Sequence, residues 1–182
     1  MKIAILALQG AFAEHQTVLE NLGAETFLIR NREDWNLEKH ALVIPGGEST
    51  AMTRIMRDLN LWEPIRSAIA EGLPVFGTCA GLIMLDDKHL GTMDITAQRN
   101  AYGRQLGSFY TEDSFEGIGM VPMTFIRAPF IERVGKEVEV LSTVAGRVVA
   151  ARQKKQLVCA FHPELTPSDT RIHEYFLTLV QG

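Results

Sequence analysis

The sequence of 182 residues is poor in cysteine, in basic clusters and in long apolar runs. Its two cysteines, Cys79 and Cys159, are too few for a disulfide framework and fit a reducing cytoplasm, where we expect the protein. The formal net charge of -4, with no basic cluster beyond Lys154-Lys155, disfavours a nucleic-acid-binding surface. Because no apolar run is long enough to cross a bilayer, we also expect no membrane association.

The five histidines show no metal-binding spacing, and the sequence has neither a CxxC pair nor an HxxxH pattern. We therefore predict neither a metal site nor a cofactor. The hydrophobic content of 46% and the charged content of 22% are typical of a globular protein. The length, without a repeat, a linker or a low-complexity stretch, predicts one domain over residues 1–182.

In the first half, short apolar runs alternate with segments of helical periodicity. The apolar runs predict strands at residues 2–8, 26–29, 41–44 and 73–76. The periodic segments predict helices at residues 12–22, after Ser49, at 61–70 and at 80–85, with Gly23 ending the first. Continuous apolar strands between helices indicate a mostly parallel sheet that is covered on both faces, and hence an α/β fold.

The second half has a different pattern. Residues 86–105 are polar and weakly periodic, which favours the wall of an active site. Shorter antiparallel strands are predicted near residues 120–126, 137–141, 147–152 and 157–161, the last two joined as a hairpin through 153–156. A helix is predicted over 169–180, with Ile172, Phe176, Leu179 and Val180 facing inward.

The stretch Gly77-Thr78-Cys79-Ala80-Gly81 lies between a predicted strand and a predicted helix. A nucleophile flanked by glycines at such a junction is typical of a nucleophile elbow, whose tight turn exposes the central side chain. The thiol would lie at a helix N-terminus, where partial positive charge favours the thiolate. We therefore predict that Cys79 is the nucleophile of a covalent reaction. Cys159, inside an apolar strand, is predicted to be a buried packing residue.

The stretch Phe161-His162-Pro163-Glu164 is a candidate for the general base and its partner. In an extended segment, residues two apart point to the same side, so Glu164 could orient the ring of His162. By itself the stretch fits equally a histidine that caps a strand and a solvated glutamate. The presence of an elbow at Cys79 favours the catalytic interpretation.

A second strand-to-helix junction carries Pro45-Gly46-Gly47-Glu48-Ser49. Paired glycines let the backbone aim N–H groups outward, as an oxyanion hole requires. We predict that the N–H groups of Gly47 and Ala80 serve this purpose. The alternative is a plain turn in which Ser49 caps the following helix, and both interpretations can hold together.

Two arginines, Arg104 and Arg127, are candidates for binding the carboxylate of an amino-acid substrate. For an isolated arginine the alternative is a surface salt bridge. On the first predicted helix, Glu14, His15 and Gln16 are expected to be solvated, or one of them to face a partner.

Taken together, Gly-Thr-Cys-Ala-Gly-Leu at 77–82 and Phe-His-Pro-Glu-Leu at 161–165 resemble the class I (triad) glutamine amidotransferases. Four further motifs make the sequence similar to one branch, the glutaminase subunits of pyridoxal phosphate synthase. They are Leu8-Gln9-Gly10, Pro-Gly-Gly-Glu-Ser-Thr at 45–50, Arg-Asn-Ala-Tyr-Gly-Arg-Gln at 99–105 and Phe-Ile-Arg-Ala-Pro at 125–129. The resemblance covers essentially the whole chain.

The resemblance implies a flavodoxin-like three-layer sandwich and a glutaminase that works in complex with a barrel-shaped synthase subunit. That partner would combine the ammonia with a pentose phosphate and a triose phosphate to form pyridoxal 5'-phosphate. Cys79, His162 and Glu164 would be the triad. By similarity, L-glutamine would be held by Gly47, Glu48, Ser49, Arg104, Ile126 and Arg127.

Three alternatives remain open from the sequence. They are a glutaminase that serves a different synthase, a cysteine-dependent hydrolase or stress protein of related fold, and a partner-binding scaffold with a vestigial site. The last is disfavoured because all three triad positions are occupied.

Overall fold

The centre of the structure, a computed structural model that describes residues 1–99 and 108–182, is a parallel sheet. Its five strands lie in the order β2 (Glu25–Ile29), β1 (Lys2–Leu6), β3 (Ala41–Ile44), β4 (Val75–Thr78) and β11 (Gln156–Cys159). Every residue of β3, β4 and β11 is buried. This burial on both faces explains why these strands are read as continuous apolar runs.

The helices cover both faces of the sheet. They are α1 (Phe12–Asn21), α2 (Arg32–Trp35), α3 (Ser49–Asp58), α4 (Trp62–Ala70), α5 (Ala80–Leu85) and α6 (Arg171–Gln181), with a one-turn 3-10 helix at Pro163–Leu165. The chain crosses from β1 to β2 in one direction and from β3 to β4 in the other. Right-handed crossovers therefore put α1 and α3 on opposite faces, which gives the predicted three layers. Over the described ranges, no helix combines the length and apolar character needed to span a membrane.

Antiparallel strands extend the sheet beyond β11. They are β5 (Ile95–Gln98), β8 (Phe130–Val134), β9 (Glu139–Val144) and β10 (Arg147–Gln153); the edge order is β11, β10, β8, β5, and β9 also pairs with β10. The predicted hairpin between β10 and β11 is confirmed, with Gln153 opposite Gln156 and Lys154 in the left-handed region. A separate hairpin is formed by β6 (Ser108–Phe115) and β7 (Gly119–Ile126).

Three of these strands, β5, β6 and β8, are absent from the sequence-based prediction. β5 lies within residues 86–105, where no regular structure is predicted, and β6 alternates between exposed and partly buried positions. β8 has one fully buried residue among five. The prediction of four inward-facing residues on α6 is confirmed, because Ile172 and Phe176 are buried and Leu179 and Val180 are half-buried against the core. The prediction did not include His173, which is fully buried on the same helix.

Candidate active site

Three junctions that carry the predicted site residues meet at one edge of the sheet. In the register of the strands, Ile44 at the end of β3 is opposite Gly77, and Thr78 at the end of β4 is opposite Cys159. The carboxyl ends of β3, β4 and β11 therefore lie side by side, as ligand-binding edges of parallel α/β sheets do. The segments that follow them bring Gly46, Cys79 and His162 together.

Cys79 occupies a strained turn between β4 and α5. Its φ of 52° and ψ of -109° are unusual for a residue with a side chain, and such strain is concentrated at functional sites. The flanking glycines make the turn possible: a Cβ on Gly77 would lie 2.5 Å from the Gly81 carbonyl oxygen, and Gly81 packs directly against the carbonyl of Ile44. The backbone N–H of Cys79 donates to the Cys159 carbonyl at 2.8 Å, which continues the β4–β11 pairing into the elbow.

His162 and Glu164 form a buried pair. The Nδ1–H of His162 donates to Oε1 of Glu164 at 2.6 Å, and Glu164 is only 2% exposed. The alternative of a solvated Glu164 is therefore wrong. The contact does not arise from an extended segment, because Glu164 lies in the 3-10 turn Pro163–Leu165 that follows β11. The backbone N–H of His162 donates to the Thr124 carbonyl of β7 at 2.8 Å, which ties the base to the β6–β7 hairpin.

The charges of this pair depend on burial and on two hydrogen bonds. Burial lowers the pKa of His162, but hydrogen bonds with Cys79 and Glu164 outweigh it and raise that pKa to about 10. Burial raises the pKa of Glu164, yet His15 and the hydrogen bond to His162 hold it below its ordinary value. An imidazolium beside Cys79, oriented by a carboxylate, is the environment that stabilises a thiolate nucleophile.

The Gly46-Gly47 segment lies against the nucleophile and the base. A Cβ on Gly46 would be 2.8 Å from Cε1 of His162 and 3.2 Å from Cβ of Cys79, so only glycine fits without a shift. Gly10, with a φ of 81°, packs against the Gly46 carbonyl, and Oε1 of Gln9 accepts from the Glu48 N–H at 2.9 Å. The Gln9-Gly10 segment thus contacts the junction that would present the Gly47 N–H.

A cavity of about 320 Å³ opens onto Cys79. Its lining contains the predicted residues Gly47, Glu48, Ser49, Ala80 and Arg127, and also Ile83, Arg99 and Pro129. The predicted residue Ile126 is not among the described residues that line this cavity, but its carbonyl oxygen lies 3.8 Å from the thiol of Cys79. Arg104 lies outside the described residues.

The cavity carries cationic groups suited to a carboxylate. Arg127 has a φ of 46° at the end of β7 and forms no salt bridge to any residue the structure describes. Arg99 donates to Oγ1 of Thr50 at 3.1 Å and lies near Glu48. Arg99 is a lining residue that the sequence-based assignment missed, although it is the first residue of the 99–105 motif.

The cap of α3 differs from the prediction. Glu48, not Ser49, is the N-cap, and its Oε2 accepts from the Ala51 N–H at 2.6 Å. This backbone hydrogen bond is the main reason why the pKa of Glu48 lies below its ordinary value. Ser49 is instead buried at the first helical position, where it still lines the cavity.

Comparison with known proteins identifies the family. The family model described as SNO glutamine amidotransferase matches residues 5–181. The chain belongs to this family. Among curated relatives, the protein named pyridoxal 5'-phosphate synthase subunit PdxT from Streptococcus pneumoniae is 56% identical over 98% of this chain and 97% of its own length.

Solved structures of glutamine amidotransferases share the fold. A crystal structure of a glutamine amidotransferase superposes with a TM-score of 0.91 at 41% identity, covering 99% of each chain. A glutamine amidotransferase from Thermotoga maritima gives a TM-score of 0.66 at 13% identity, over 100% of this chain and 84% of that one. The flavodoxin-like α/β class predicted from the sequence is confirmed.

One further residue of this SNO-family site was wrongly predicted as solvated. His15 of α1 is fully buried and its Nε2 lies 3.4 Å from Oε2 of Glu164. The sequence held a signal for this position, because His15 shares the inward face of α1 with Val18 and Leu19 at helical spacing. Glu14 is exposed, as expected, and Cys159 is fully buried.

Proposed function

We propose that this chain hydrolyses L-glutamine to L-glutamate and ammonia, with Cys79, His162 and Glu164 as the catalytic triad. The observation that carries the proposal is the strained Cys79 at the end of β4, beside a buried His162 that donates to Glu164 at 2.6 Å. A nucleophile, a base and an orienting carboxylate in this order are the requirements of thioester chemistry. Membership of a glutamine amidotransferase family supports glutamine as the substrate.

The reaction proceeds through a γ-glutamyl thioester. The Cys79 thiolate attacks the side-chain amide carbon, and the N–H groups of Gly47 and Ala80 stabilise the oxyanion. The tetrahedral intermediate expels ammonia as His162 transfers its proton to the departing nitrogen. His162, now neutral, takes a proton from water, which attacks the thioester and releases glutamate and the thiolate.

The cavity beside Cys79 is the proposed glutamine site. Arg127 is charged and without an ion pair among the described residues, so it is available for the substrate α-carboxylate. Gly47, Glu48, Ser49, Ile126 and Arg104 complete the set assigned by resemblance. Of these, Glu48 caps α3 with one carboxylate oxygen, and its negative charge at the cavity is suited to a substrate ammonium group.

The ammonia is proposed to pass to a barrel-shaped synthase subunit that makes pyridoxal 5'-phosphate from a pentose phosphate and a triose phosphate, in the cytoplasm. Support comes from the relative named as a pyridoxal 5'-phosphate synthase subunit, at 56% identity over nearly the whole chain. The Gly46-Gly47 peptide provides a physical switch. It can rotate at low conformational cost, so that a partner seated on Gln9-Gly10 would turn its N–H towards the oxyanion.

The test measures glutamate release by the chain alone and by the chain saturated with the synthase subunit. We expect the lone chain to be roughly a hundredfold to a thousandfold slower, the effect of one missing oxyanion donor. Cys79→Ala should abolish release, whereas Cys159→Ala, which removes the other buried thiol, should retain it.

Each outcome contradicts a different part of the proposal. Turnover by Cys79→Ala would refute the thioester mechanism at Cys79. If activity were lost only in Cys159→Ala, the nucleophile would be Cys159 and not Cys79. Equal rates of glutamate release with and without the synthase subunit would show that the Gly46-Gly47 peptide is not a switch. If the complex releases glutamate but forms no pyridoxal phosphate from glutamine and the two sugar phosphates, the chain serves a different synthase.

A further inference from the structure

A series of buried polar groups continues from the triad beyond Glu164. His15 of α1 and His173 of α6 are both fully buried. Nδ1 of His15 lies 2.9 Å from Nε2 of His173. On its other side, Nε2 of His15 lies 3.2 Å from Oγ1 of Thr78 and 3.4 Å from Oε2 of Glu164. Two helices on one face of the sheet thus reach the carboxylate that orients the base.

The positions of the protons on His173 and His15 follow from the charge of Glu164 and from the hydrogen-bond partners of each ring. Burial lowers the pKa of His15 and of His173, so each neutral ring carries one N–H. With its proton on Nε2, His15 donates to Oγ1 of Thr78 and turns the same N–H dipole towards the ionised carboxylate of Glu164, which repels a lone pair at that position. Nδ1 of His15 must then accept from the Nε2–H of His173.

The surroundings of His173 fit this assignment. Nδ1 of His173 is buried and has no hydrogen-bond partner among the described residues. In the assigned arrangement that atom carries only a lone pair. The reverse arrangement would put an N–H there without an acceptor, and orphaned buried N–H groups are rare and unfavourable. The direction of donation is therefore fixed: the N–H groups point from His173 to His15 and from His15 towards Glu164.

The carboxylate needs this contact. Oε1 of Glu164 is occupied by His162, but Oε2 is buried and accepts no hydrogen bond from the residues the structure describes. The Nε2–H dipole of His15 is the polar group that faces it. A buried carboxylate oxygen without such a group would favour protonation or rotation of the side chain, and either change would release the ring of His162.

We propose that His15, held in one tautomer by His173, is a positioning residue that keeps Glu164 aimed at His162. The inference rests on the proposed triad, and His15 touches neither the substrate nor the reacting atoms. It acts on the turnover step through Glu164. The same contact joins α1, which follows the Gln9-Gly10 segment, to the catalytic carboxylate.

The test compares three variants at position 15 in the complex with the synthase subunit. His15→Phe retains an aromatic ring, which packs edge-on against Phe76, but removes both nitrogens. His15→Gln can place an amide N–H near the position of Nε2. His15→Asn reaches only the position of Nδ1. His40→Phe, an exposed histidine before the opposite end of β3, is the control for loss of a histidine.

We expect His15→Phe to lower kcat about tenfold to hundredfold with little change in KM, as for the loss of one interaction with a charged group. The acid limb of the kcat profile should move to higher pH, because the pKa of Glu164 rises. His15→Gln should recover most of kcat and His15→Asn should not, even where their melting temperatures are alike. The groups that face Glu164 or His15 and titrate with them are His162, His173, Cys159 of β11 and Glu14 of α1.

A wild-type kcat and acid limb in His15→Phe would overturn the inference. So would equal rates for His15→Gln and His15→Asn, and this comparison decides the question if His15→Phe does not fold. These failures are distinct from failure of the proposed function, which would appear as turnover by Cys79→Ala.

Discussion

Replacement of Glu164 with glutamine removes one charge from the site and leaves its shape almost unchanged. Both carboxylate oxygens face nitrogen atoms: Oε1 accepts from Nδ1 of His162 at 2.6 Å, and Oε2 lies 3.4 Å from Nε2 of His15. An amide has one acceptor and one donor. Glu164→Gln therefore cannot satisfy both neighbours, whichever way the amide is turned.

The magnitude follows from what each orientation loses. With the amide oxygen towards His162, the hydrogen bond loses the carboxylate charge, and the amide N–H₂ meets the donor of His15. Hydrogen bonds to charged groups contribute about 1.5–3 kcal/mol, or roughly tenfold to hundredfold in rate. With the amide nitrogen towards His162, the ring is forced into the wrong tautomer, which in a serine-protease triad lowers kcat about ten-thousandfold. We therefore expect Glu164→Gln to lower kcat by at least about tenfold, and by up to about ten-thousandfold if the amide nitrogen faces the ring.

The assay is glutamate release at saturating glutamine with the synthase subunit present, together with a thermal melt to check folding. Glu116→Gln, at an exposed acid in the turn between β6 and β7, is the matched control for loss of one carboxylate. The pKa of His162, followed by NMR, should fall in Glu164→Gln and stay unchanged in the control. A folded Glu164→Gln protein with kcat within about threefold of the wild type would show that Glu164 does not orient the base.

Two further predictions concern the substrate and the pH dependence. Arg127→Lys should raise KM for glutamine with a smaller effect on kcat, because lysine loses the bidentate geometry for a carboxylate. Unchanged kinetics would show that Arg127 does not bind the substrate carboxylate. Since the pKa of His162 is raised to about 10, the ring should stay protonated at neutral pH, and kcat/KM should fall only as the pH rises through about 10. An alkaline limb near the ordinary histidine value of about 6.5 would contradict the His162–Cys79 pairing.

The parallel half of the fold could be predicted because its strands are buried on both faces. The run at 41–44 matches β3 residue for residue, and the elbow helix at 80–85 matches α5. The antiparallel strands β5, β6 and β8 could not be predicted in this way. The side chains of β6 and β8 are largely exposed or half-buried, so these strands lack a continuous apolar run. β5 is buried but only four residues long, and it pairs with β8, which is distant in sequence, with Ile95 opposite Val134.

The site residues also differ in how far the local sequence predicts them. Cys79 and the Gly46-Gly47 turn are recognisable because each needs a local backbone geometry that glycine permits. The role of His15 depends on contacts with Glu164 and His173, which lie 149 and 158 positions further along the chain. No local sequence pattern therefore predicts this role. The apolar stripe of α1 indicates which face of the helix is buried, but not the carboxylate that this face meets.

The order of the strands separates the catalytic groups from the walls of the cavity. β11 pairs directly with β4, with Thr78 opposite Cys159, although 77 residues lie between those strands in the sequence. The elbow and the turn that carries His162 are therefore held by two adjacent buried strands. Ile126 and Arg127 lie at the end of β7, in the long excursion between them. Changes of length within that excursion can reshape the glutamine cavity without moving Cys79 relative to His162, because the two anchoring strands keep their register.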